Sequence, residues 1–368
     1  MMSTLEQPLV LMMAGGTGGH VYPALAVADE MRARGCRVEW VGTRRGLEQR
    51  VVPAAGITLH HLVVRGVRGK NLLQTLLGLV LLAFSSLQAV WLVLRLSPRC
   101  VVGMGGYAAG PAGLAAWLVR KPLLIHEQNA VAGTTNRLLA PLASKIVAGF
   151  PGAFDNNVNY EVLGNPVRQE IIRAGESCSY DYRGQRCLRL LVLGGSLGAR
   201  PINQVIPGAL DRLLQAHPAS LEVRHQAGEA HAEVVVDAYG ELSGNGVEVQ
   251  AFIEDMASAY AWADLVLCRA GALTVAELAV MGRPSILVPL PHAIDDHQSA
   301  NARSLSERGG AVLLPQAELS EESLATLLGD LLASPERLAA MAAGALATAR
   351  PDAARRVGDR CEELIHGR

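Results

Sequence analysis

The apolar positions of this chain fall into short uninterrupted runs, separated by longer stretches of helical composition. In the first half, runs of strand length predict β-strands at 9–13, 38–41, 59–64, 100–102, 123–126 and 145–148. Helical stretches lie between them, for example at 23–34 and 110–119. This alternation of strands and helices predicts a parallel, doubly wound sheet.

The second half restarts the same pattern. Strands are predicted at 188–193, 222–225, 247–250, 265–268, 285–288 and 311–313, helices over about 320–347, and a charged terminal helix over 353–365. We interpret Asn165-Pro166 and the polar stretch 174–186 as the linker. The sequence therefore predicts an α/β protein of two Rossmann-like domains, 1–168 and 169–349, with 350–368 packing back onto the first.

A glycine-rich turn follows the first predicted strand of each half. The first glycine turn is residues 14–20 (Ala-Gly-Gly-Thr-Gly-Gly-His), and the second glycine turn is residues 194–200 (Gly-Gly-Ser-Leu-Gly-Ala-Arg). A glycine turn that leads into a helix exposes backbone N–H groups that can bind phosphate. Neither turn is a Walker A loop, because no Gly-Lys-Ser/Thr follows. Two such units indicate two nucleotide-type domains that face each other across a cleft.

Two other turns carry candidate chemistry. Residues 103–108 match the dinucleotide-binding pattern weakly, and tight strand–helix packing is the alternative. Residues 268–277 end a predicted strand and begin a helix, whose dipole adds up to ~1 kcal/mol for a bound anion. There Thr274 could hold a pyrophosphate and Glu277 the two hydroxyls of a ribose. A plain helix cap and a solvated charge are the alternatives.

Composition narrows the function classes. The chain has 368 residues, 50% of them hydrophobic, and a formal net charge of -1, so two large cores are available. The small charge and the lack of a basic stripe argue against nucleic-acid binding. The six cysteines are far apart, as expected for reduced thiols of a cytosolic protein. No basic segment precedes the first apolar run, so a signal peptide is not expected.

Uncharged and largely apolar residues extend from 71 to 94, long enough to span a bilayer at ~20 residues per crossing. Gln74, Gln88 and the Ser85-Ser86 pair, together with a position between two strands, argue against a spanning helix. We favour a helix that is partly core and partly membrane-facing; a spanning helix and a fully buried helix are the alternatives. Flanking cations could meet anionic headgroups or form a solvated rim, and they are Arg65, Arg68, Lys70, Arg95 and Arg99.

Seven segments together resemble the MurG family of peptidoglycan N-acetylglucosaminyltransferases, in order and at compatible spacing between residues 9 and 351. They are residues 14–20, 103–107, 126–129, 164–168, 194–200, 252–256 and 268–277. The resemblance implies a GT-B fold and inverting transfer of N-acetylglucosamine from UDP-N-acetylglucosamine to undecaprenyl-linked lipid I, at the C4 hydroxyl of its N-acetylmuramyl unit, which gives lipid II. It implies no cofactor and no obligatory metal, and the chain holds no Asp-x-Asp metal motif.

The resemblance also implies site residues. Donor contacts are implied for Thr17, Gly18, Gly19, Asn129, Arg168, Ser196, Ile253, Ala272, Leu273, Thr274, Val275, Ala276, Glu277 and Gln298. Within this set Arg168 and Ser196 would meet the diphosphate, and the Ile253 backbone the uracil. Gln298 would contact the N-acetylglucosamine hydroxyls, whereas His297 stands where family members carry a second glutamine, so no sugar contact is carried over to it. The lipid-linked diphosphate would lie on Gly103, Met104, Gly105, Gly106 and Tyr107.

Transfer needs a base for the acceptor hydroxyl and groups that meet the charge of departing UDP. His20, with a reference pKa of ~6.5, suits a base at neutral pH. Glu127 is the competing base if burial raises its pKa. The alternative for His20 is a helix-entry residue that binds phosphate or backbone. The leaving-group charge is expected to meet the helix terminus at Thr274, Ser196, and Arg168 or Arg269.

Because the implied acceptor hangs from a polyprenyl chain, the first domain is expected to dock peripherally on the cytoplasmic face of an anionic membrane. Candidate membrane contacts are Leu72, Leu73, Leu76, Leu79, Leu82, Phe84 and Trp117. Proteins of cell-wall synthesis and division are candidate partners. Three other functions stay open: a UDP-N-acetylglucosamine 2-epimerase-like isomerase on the same fold, a nicotinamide-dependent dehydrogenase built on 103–108, and a non-catalytic membrane scaffold.

Overall fold

The structure, a computed structural model, describes residues 7–64, 72–195, 198–218, 220–291 and 296–367, apart from the side chains of 72–77 and 79. Contacts within the chain divide it into two compact units. The first unit is Met1–Arg168 with Pro351–Arg368, and the second unit is Gln169–Arg350. Each unit is built around one parallel sheet.

The first unit alternates strands and helices. Its elements up to the unit boundary are β1 (Leu9–Met13), α1 (Gly18–Ala33), β2 (Arg37–Gly42), α2 (Glu48–Ala54), β3 (Thr58–His61), α3 (Leu72–Leu96), β4 (Cys100–Gly103), α4 (Ala109–Leu118), β5 (Leu123–Glu127), α5 (Thr134–Leu139), β6 (Lys145–Ala148) and β7 (Glu161–Val162). The strands pair in parallel in the order β3-β2-β1-β4-β5-β6-β7. The order reverses between β1 and β4, the place where ligands bind in open sheets of this kind.

The second unit repeats this plan. Its elements are α6 (Gln169–Ser177), β8 (Leu188–Leu193), α7 (Arg200–Ala216), β9 (Leu221–Gln226), α8 (Ala232–Tyr239), β10 (Val247–Gln250), α9 (Met256–Trp262), β11 (Leu265–Cys268), α10 (Ala272–Met281), β12 (Ser285–Leu287), α11 (His297–Ser306), β13 (Ala311–Leu313), α12 (Glu321–Leu332) and α13 (Pro335–Leu346). The strand order is β10-β9-β8-β11-β12-β13, again parallel throughout. The last helix, α14 (Ala353–His366), belongs to the first unit.

The predicted α/β class with two parallel sheets is confirmed. Every residue of β1, β4, β5, β11 and β12 is buried. Strands covered by helices on both faces are mostly apolar, and the polar exceptions here are His126 and Glu127 at the end of β5 and Ser285 in β12. This burial explains why the strands read as uninterrupted apolar runs rather than as alternating patterns.

The interpretation of residues 174–186 as a linker is wrong. Residues 174–177 complete α6, whose two isoleucines are buried. A Cβ on Gly175 would lie 2.6 Å from the carbonyl oxygen of Val280, so α6 packs closely on α10. Tyr182 is 1% exposed in the core of the second unit. A few apolar anchors among polar residues are enough to pack this segment.

The guanidinium of Arg34 links α14 to the end of α1 through hydrogen bonds and ion pairs. Arg34, directly after α1, donates to Glu362 and to the carbonyl oxygen of Arg355, both at 2.9 Å, and lies 2.9 Å from Asp359. Its side chain is only 16% exposed. A Cβ on Gly358 would lie 3.0 Å from the guanidinium carbon, so a glycine here leaves room for the arginine. The end of the chain is thus held by charged hydrogen bonds as well as by apolar packing.

We expect Arg34→Ala to loosen α14 without unfolding the sheet. The loss of several charge-assisted hydrogen bonds, partly shielded from water, costs about 2 kcal/mol. Hydrogen exchange of the amides over 353–366 should therefore accelerate by roughly tenfold or more. Arg32→Ala, in the last turn of α1 and 46% exposed, is the matched control and should change exchange by less than about threefold. Equal effects of the two substitutions would contradict this role of Arg34.

Candidate active site

The first glycine turn is held by the buried carboxylate of Glu48, the first residue of α2. Oε2 accepts the N–H of Gly16 at 2.9 Å, and Oε1 accepts the N–H and the hydroxyl of Thr43, both at 2.8 Å. A Cβ on Gly15 would lie 2.6 Å from Oε1, so glycine at this position leaves room for the carboxylate. The Gly16 N–H is therefore committed within the protein, and phosphate recognition by this turn would have to use later amides.

The Gly103 turn (residues 103–107) packs directly on the first glycine turn. A Cβ on Gly106 would lie 2.3 Å from the carbonyl oxygen of Gly15, and one on Gly105 would lie 2.8 Å from Nδ1 of His20. Gly105 and Gly106 also have φ of 89° and 85°, which favours glycine. The two turns follow the neighbouring strands β1 and β4. The structure thus brings the candidate base and the candidate acceptor turn together, while Tyr107 is 63% exposed.

His20, in the first turn of α1, is held by a chain of side-chain hydrogen bonds. Its Nδ1 lies 2.9 Å from Oε1 of Gln128, whose Nε2 lies 3.1 Å from Nδ1 of His126. His126 is fully buried, and burial lowers its pKa to about 4. His126 is therefore neutral at physiological pH and acts through hydrogen bonds alone.

Glu127, the competing candidate base, closes the loop after β5. Its buried carboxylate accepts the backbone N–H and the side-chain amide of Asn129, at 2.9 and 3.2 Å. It also accepts the Gly133 N–H at 3.0 Å and the Asn136 side-chain amide at 2.8 Å. A substrate proton on this carboxylate would displace one of four donors. The geometry therefore favours His20 over Glu127 as the base.

Two predicted donor residues of the first unit meet around one aromatic ring. The guanidinium carbon of Arg168 lies 4.8 Å from the centroid of the Tyr22 ring, and a Cβ on Gly18 would lie 3.1 Å from the same ring. Thr17 is the N-cap of α1 and lies beside Gly19, on which a Cβ would be 3.8 Å from the threonine hydroxyl. Arg168, Thr17, Gly18 and Gly19 therefore form one neighbourhood at the start of α1.

In the second unit, the predicted pyrophosphate and ribose segment is the start of α10. Gly271 is the N-cap, and Thr274 lies half-buried in the first turn. Glu277, one turn further on, is buried and accepts the Tyr260 hydroxyl through Oε2 at 3.0 Å. Ala272, Leu273 and Val275 are buried and Ala276 is half-buried. A ligand would therefore meet this helix end chiefly through backbone amides and Thr274.

Other predicted donor residues are held by the protein itself. The Ile253 N–H donates to Oε1 of Gln226 at 2.9 Å, and Oε1 of Gln298, early in α11, accepts the Leu290 N–H at 2.9 Å. Arg269 donates to two backbone carbonyl oxygens at 3.1 and 3.2 Å. These bonds hold the Arg269 guanidinium against the backbone that follows β12.

The second glycine turn lies over another buried histidine network. A Cβ on Gly198 would lie 2.4 Å from the carbonyl oxygen of Ala227. That oxygen accepts Nδ2 of Asn203 at 2.8 Å, and Oδ1 of Asn203 lies 3.1 Å from Nε2 of His225. Burial lowers the pKa of His225 to about 4. Ser196, the predicted diphosphate contact in this turn, lies outside the described residues.

Helix α3 has apolar residues on two faces. The inner face packs into the core of the first unit through Ala89, Leu92 and Val93. The outer stripe of α3 recurs every three or four residues, is between 57% and 70% exposed, and consists of Val80, Phe84, Leu87, Trp91 and Leu94. An aligned exposed stripe of this kind marks an interaction surface rather than a core.

The structure describes the side chains of some of the remaining candidate membrane contacts. Leu82 is 38% exposed and Trp117, on α4, is 49% exposed. The side chains of Leu72, Leu73, Leu76 and Leu79 lie outside the described residues. Within the part of the chain that the structure describes, no helix is both long and apolar enough to cross a membrane.

Sequence reasoning missed the residues that hold the predicted groups, namely Glu48, Gln128, Asn203, Gln226 and Tyr260. Gln128 lies inside one of the segments that carry the resemblance, two positions after His126, and this spacing was a usable signal. The others bind partners far away in the sequence, and no local motif marks them. Among the described residues, no cluster of three or more His, Cys, Asp or Glu side chains is placed to hold a metal ion.

Comparison with known proteins covers both units. Residues 10–148 match the glycosyltransferase family 28 N-terminal domain, and residues 189–357 match its C-terminal domain. A curated relative from Stutzerimonas stutzeri (strain A1501), named UDP-N-acetylglucosamine--N-acetylmuramyl-(pentapeptide) pyrophosphoryl-undecaprenol N-acetylglucosamine transferase, is 53% identical over 360 residues, 97% of this chain and 99% of the relative.

Solved structures give the same result. The crystal structure of Acinetobacter baumannii MurG superposes with a TM-score of 0.80 at 37% identity, covering 97% of this chain and 99% of that chain. A putative UDP-N-acetylglucosamine 2-epimerase from Listeria monocytogenes superposes with a TM-score of 0.69 at 17% identity, covering 98% of each. At this low identity the second likeness concerns the fold alone.

The two buried histidines predict how stability depends on pH. Each folded-state pKa lies near 4, below the unfolded value of ~6.5, so the unfolded chain binds more protons as pH falls between these values. The stability present above pH ~6.5 is therefore lost on acidification, by about 2 kcal/mol per histidine at pH 5. Urea unfolding at neutral pH and near pH 5 measures this loss.

Substitution of each histidine measures its contribution to the pH dependence of the free energy of unfolding. His126→Asn should flatten the pH dependence of the first unit, and His225→Asn, the matched substitution in the second unit, should flatten that of the second. An acid slope that is the same in both variants and in the wild type would contradict the assignment.

Proposed function

The chain belongs to the MurG family of N-acetylglucosaminyltransferases within glycosyltransferase family 28, and we propose that it transfers N-acetylglucosamine from UDP-N-acetylglucosamine to lipid I with inversion at the sugar C1. The observation that carries the mechanism is the packing of His20 against the Gly103 turn. A histidine beside a glycine turn places a base next to backbone that can approach an acceptor closely. The full-length resemblance supports the choice of substrates, and the position of His20 supports its role as the base.

The reaction is a single displacement. The C4 hydroxyl oxygen of the N-acetylmuramyl unit attacks C1 of N-acetylglucosamine from the face opposite UDP. The bond from C1 to the β-phosphate oxygen breaks, and UDP leaves with the electron pair. Nε2 of His20 takes the hydroxyl proton, so the new glycosidic bond forms without a charged oxygen. The opposite approach and departure invert the configuration at C1.

The donor is assigned mainly to the second unit. The amides at the start of α10 and the Thr274 hydroxyl would hold the diphosphate, where the helix dipole favours negative charge. Glu277, already oriented by Tyr260, would accept the ribose hydroxyls. Gln298, Ile253 and Ser196 complete the assigned donor set in this unit. Arg168, Asn129 and the residues Thr17, Gly18 and Gly19 complete it in the first unit.

The acceptor is assigned to the Gly103 turn, with its diphosphate against the backbone of Gly103, Met104, Gly105 and Gly106 and the Tyr107 ring alongside. Because a polyprenyl chain stays in the bilayer, the enzyme has to work at the membrane surface, peripherally and on the face where nucleotide sugars are available. The outer stripe of α3 fits this duty, since exposed apolar side chains on a surface helix insert at the headgroup boundary. Arg95, whose guanidinium lies 5.2 Å from the Trp91 ring, would meet anionic headgroups.

Transfer of labelled N-acetylglucosamine to a short-chain lipid I analogue in the presence of EDTA tests the activity. We expect a 1→4-linked product of inverted anomer from the wild type. His20→Gln should lower kcat by ~10²- to 10⁴-fold, the range for loss of a general base, with little change in KM for the donor. His217→Gln, on an exposed histidine after α7 in the second unit, is the matched control and should keep full activity. Formation of UDP-N-acetylmannosamine without transfer would instead identify an epimerase.

The membrane assignment predicts a separate defect. Leu87→Glu/Trp91→Glu should abolish flotation with vesicles that contain anionic lipid, because both substitutions place charge in the outer stripe. Transfer to acceptor embedded in vesicles should fall far more than transfer to a short-chain acceptor in solution. Val234→Glu, at a 69% exposed position of α8 in the second unit, controls for added charge on an exposed apolar site. Unchanged flotation of the double variant would show that the outer stripe of α3 is not the membrane-docking surface.

A further inference from the structure

A chain of hydrogen bonds runs from a backbone carbonyl to the candidate base. Nε2 of His126 lies 3.0 Å from the carbonyl oxygen of Gly164, and Nδ1 of His126 lies 3.1 Å from Nε2 of Gln128. Oε1 of Gln128 lies 2.9 Å from Nδ1 of His20. Asn165 anchors the backbone of Gln128 by donating to its carbonyl oxygen at 2.9 Å. His126 and Gln128 are both buried, so the chain is shielded from water.

Donors and acceptors along this chain can be assigned one after another. A carbonyl oxygen only accepts, so Nε2 of His126 carries the proton. Neutral His126 then has a bare Nδ1, which accepts a hydrogen bond from the amide nitrogen of Gln128. The amide oxygen of Gln128 consequently faces His20, and only a protonated Nδ1 of His20 can donate to it. The free lone pair of His20 is therefore on Nε2.

The orientation of the Gln128 amide is fixed by two neighbours rather than one. Its Nε2 lies 3.2 Å from the carbonyl oxygen of His126 as well as near the ring. A flipped amide would set its oxygen against that carbonyl oxygen and the bare ring nitrogen, so three acceptors would face one another. Protonation of His126 could reverse the assignment, but burial lowers its pKa to about 4, so this form is scarce at neutral pH.

We propose that His126 and Gln128 are positioning residues that hold His20 in the tautomer with its proton on Nδ1, which leaves Nε2 as the proton acceptor. The proposal rests on the proposed function for the identity of the hydroxyl that gives up its proton. When Nε2 takes that proton, the bond from Nδ1–H to Gln128 becomes charge-assisted and stronger. The chain thus stabilises the imidazolium that transfer creates, and no proton moves along it.

Tautomers can be measured on the whole protein without any substrate. Long-range proton–nitrogen correlation spectra of the chain labelled with ¹⁵N-histidine distinguish protonated from bare ring nitrogens, and the His20→Gln spectrum assigns the His20 signals. We expect a protonated Nδ1 and a bare Nε2 for neutral His20, with the opposite arrangement for His126. A protonated Nε2 on neutral His20 overturns the proposal.

Removal of the amide tests the link to catalysis. Gln128→Leu should move neutral His20 toward the Nε2-protonated form and lower kcat by about tenfold or more, while KM for the donor changes less than about twofold. A purely structural role would lower the amount of folded enzyme without a new tautomer. Asn203→Leu, which removes the amide that satisfies His225 in the second unit, is the matched control and should leave the His20 tautomer unchanged. An unaltered His20 spectrum in Gln128→Leu overturns the proposal.

The outcomes separate this inference from the proposed function. If the wild type shows the expected tautomer but transfers no sugar, the positioning chain stands and the proposed reaction fails. If the wild type transfers sugar while His20 carries its proton on Nε2, the reaction stands and the positioning role fails.

Discussion

The candidate site of the first unit depends on one close contact between two backbones. A Cβ on Gly106 would lie 2.3 Å from the carbonyl oxygen of Gly15, a separation that no side chain tolerates. The contact sets the distance between the turns that follow β1 and β4, and with it the distance from His20 to the Gly103 turn. Glu48 fixes the other side of the first glycine turn by accepting the Gly16 N–H. The glycines at this contact allow two backbone segments of the same chain to approach each other. A ligand of the first glycine turn must therefore bind to groups that this contact and Glu48 do not use.

The second unit meets the same constraint with different residues. A Cβ on Gly198 would lie 2.4 Å from the Ala227 carbonyl oxygen, so the second glycine turn also presses on a neighbouring backbone. Beneath it lies a buried neutral histidine, His225, satisfied by the side chains of Asn203 and Tyr239. In each unit an amide side chain is hydrogen-bonded to a buried histidine, Gln128 to His126 and Asn203 to His225. Such networks rigidify a site only when every member is satisfied, and neutral histidine, with one donor and one acceptor, suits such a role.

The fold was predictable because the central parallel strands are buried on both faces and therefore appear in the sequence as apolar runs. The edge strand β7, of two half-buried residues, was not predicted. The starts of helices were harder to predict. Helix α1 begins at Gly18, five residues before the predicted start, because glycines are poor helix formers and do not indicate a first helical turn. The packed segment around Tyr182 was misread as linker, because its few apolar anchors are separated by polar residues. Site positions on glycine turns were predictable from local pattern, whereas Glu48 was not, since it pairs with Gly16 across 32 positions of sequence.

The contrast between Glu127 and His20 shows why residue type alone could not name the base. Both are titratable, and both lie in segments that carry the family resemblance. His20 lies in the first turn of α1, and Glu127 is the last residue of β5. Four N–H donors converge on the Glu127 carboxylate, so a substrate proton would have to displace one of them. Among the described residues, the hydrogen-bond partner of His20 is Gln128, which lies 2.9 Å from Nδ1. A base needs an orienting partner on one side and an available lone pair on the other, and of these two residues His20 is the one so arranged.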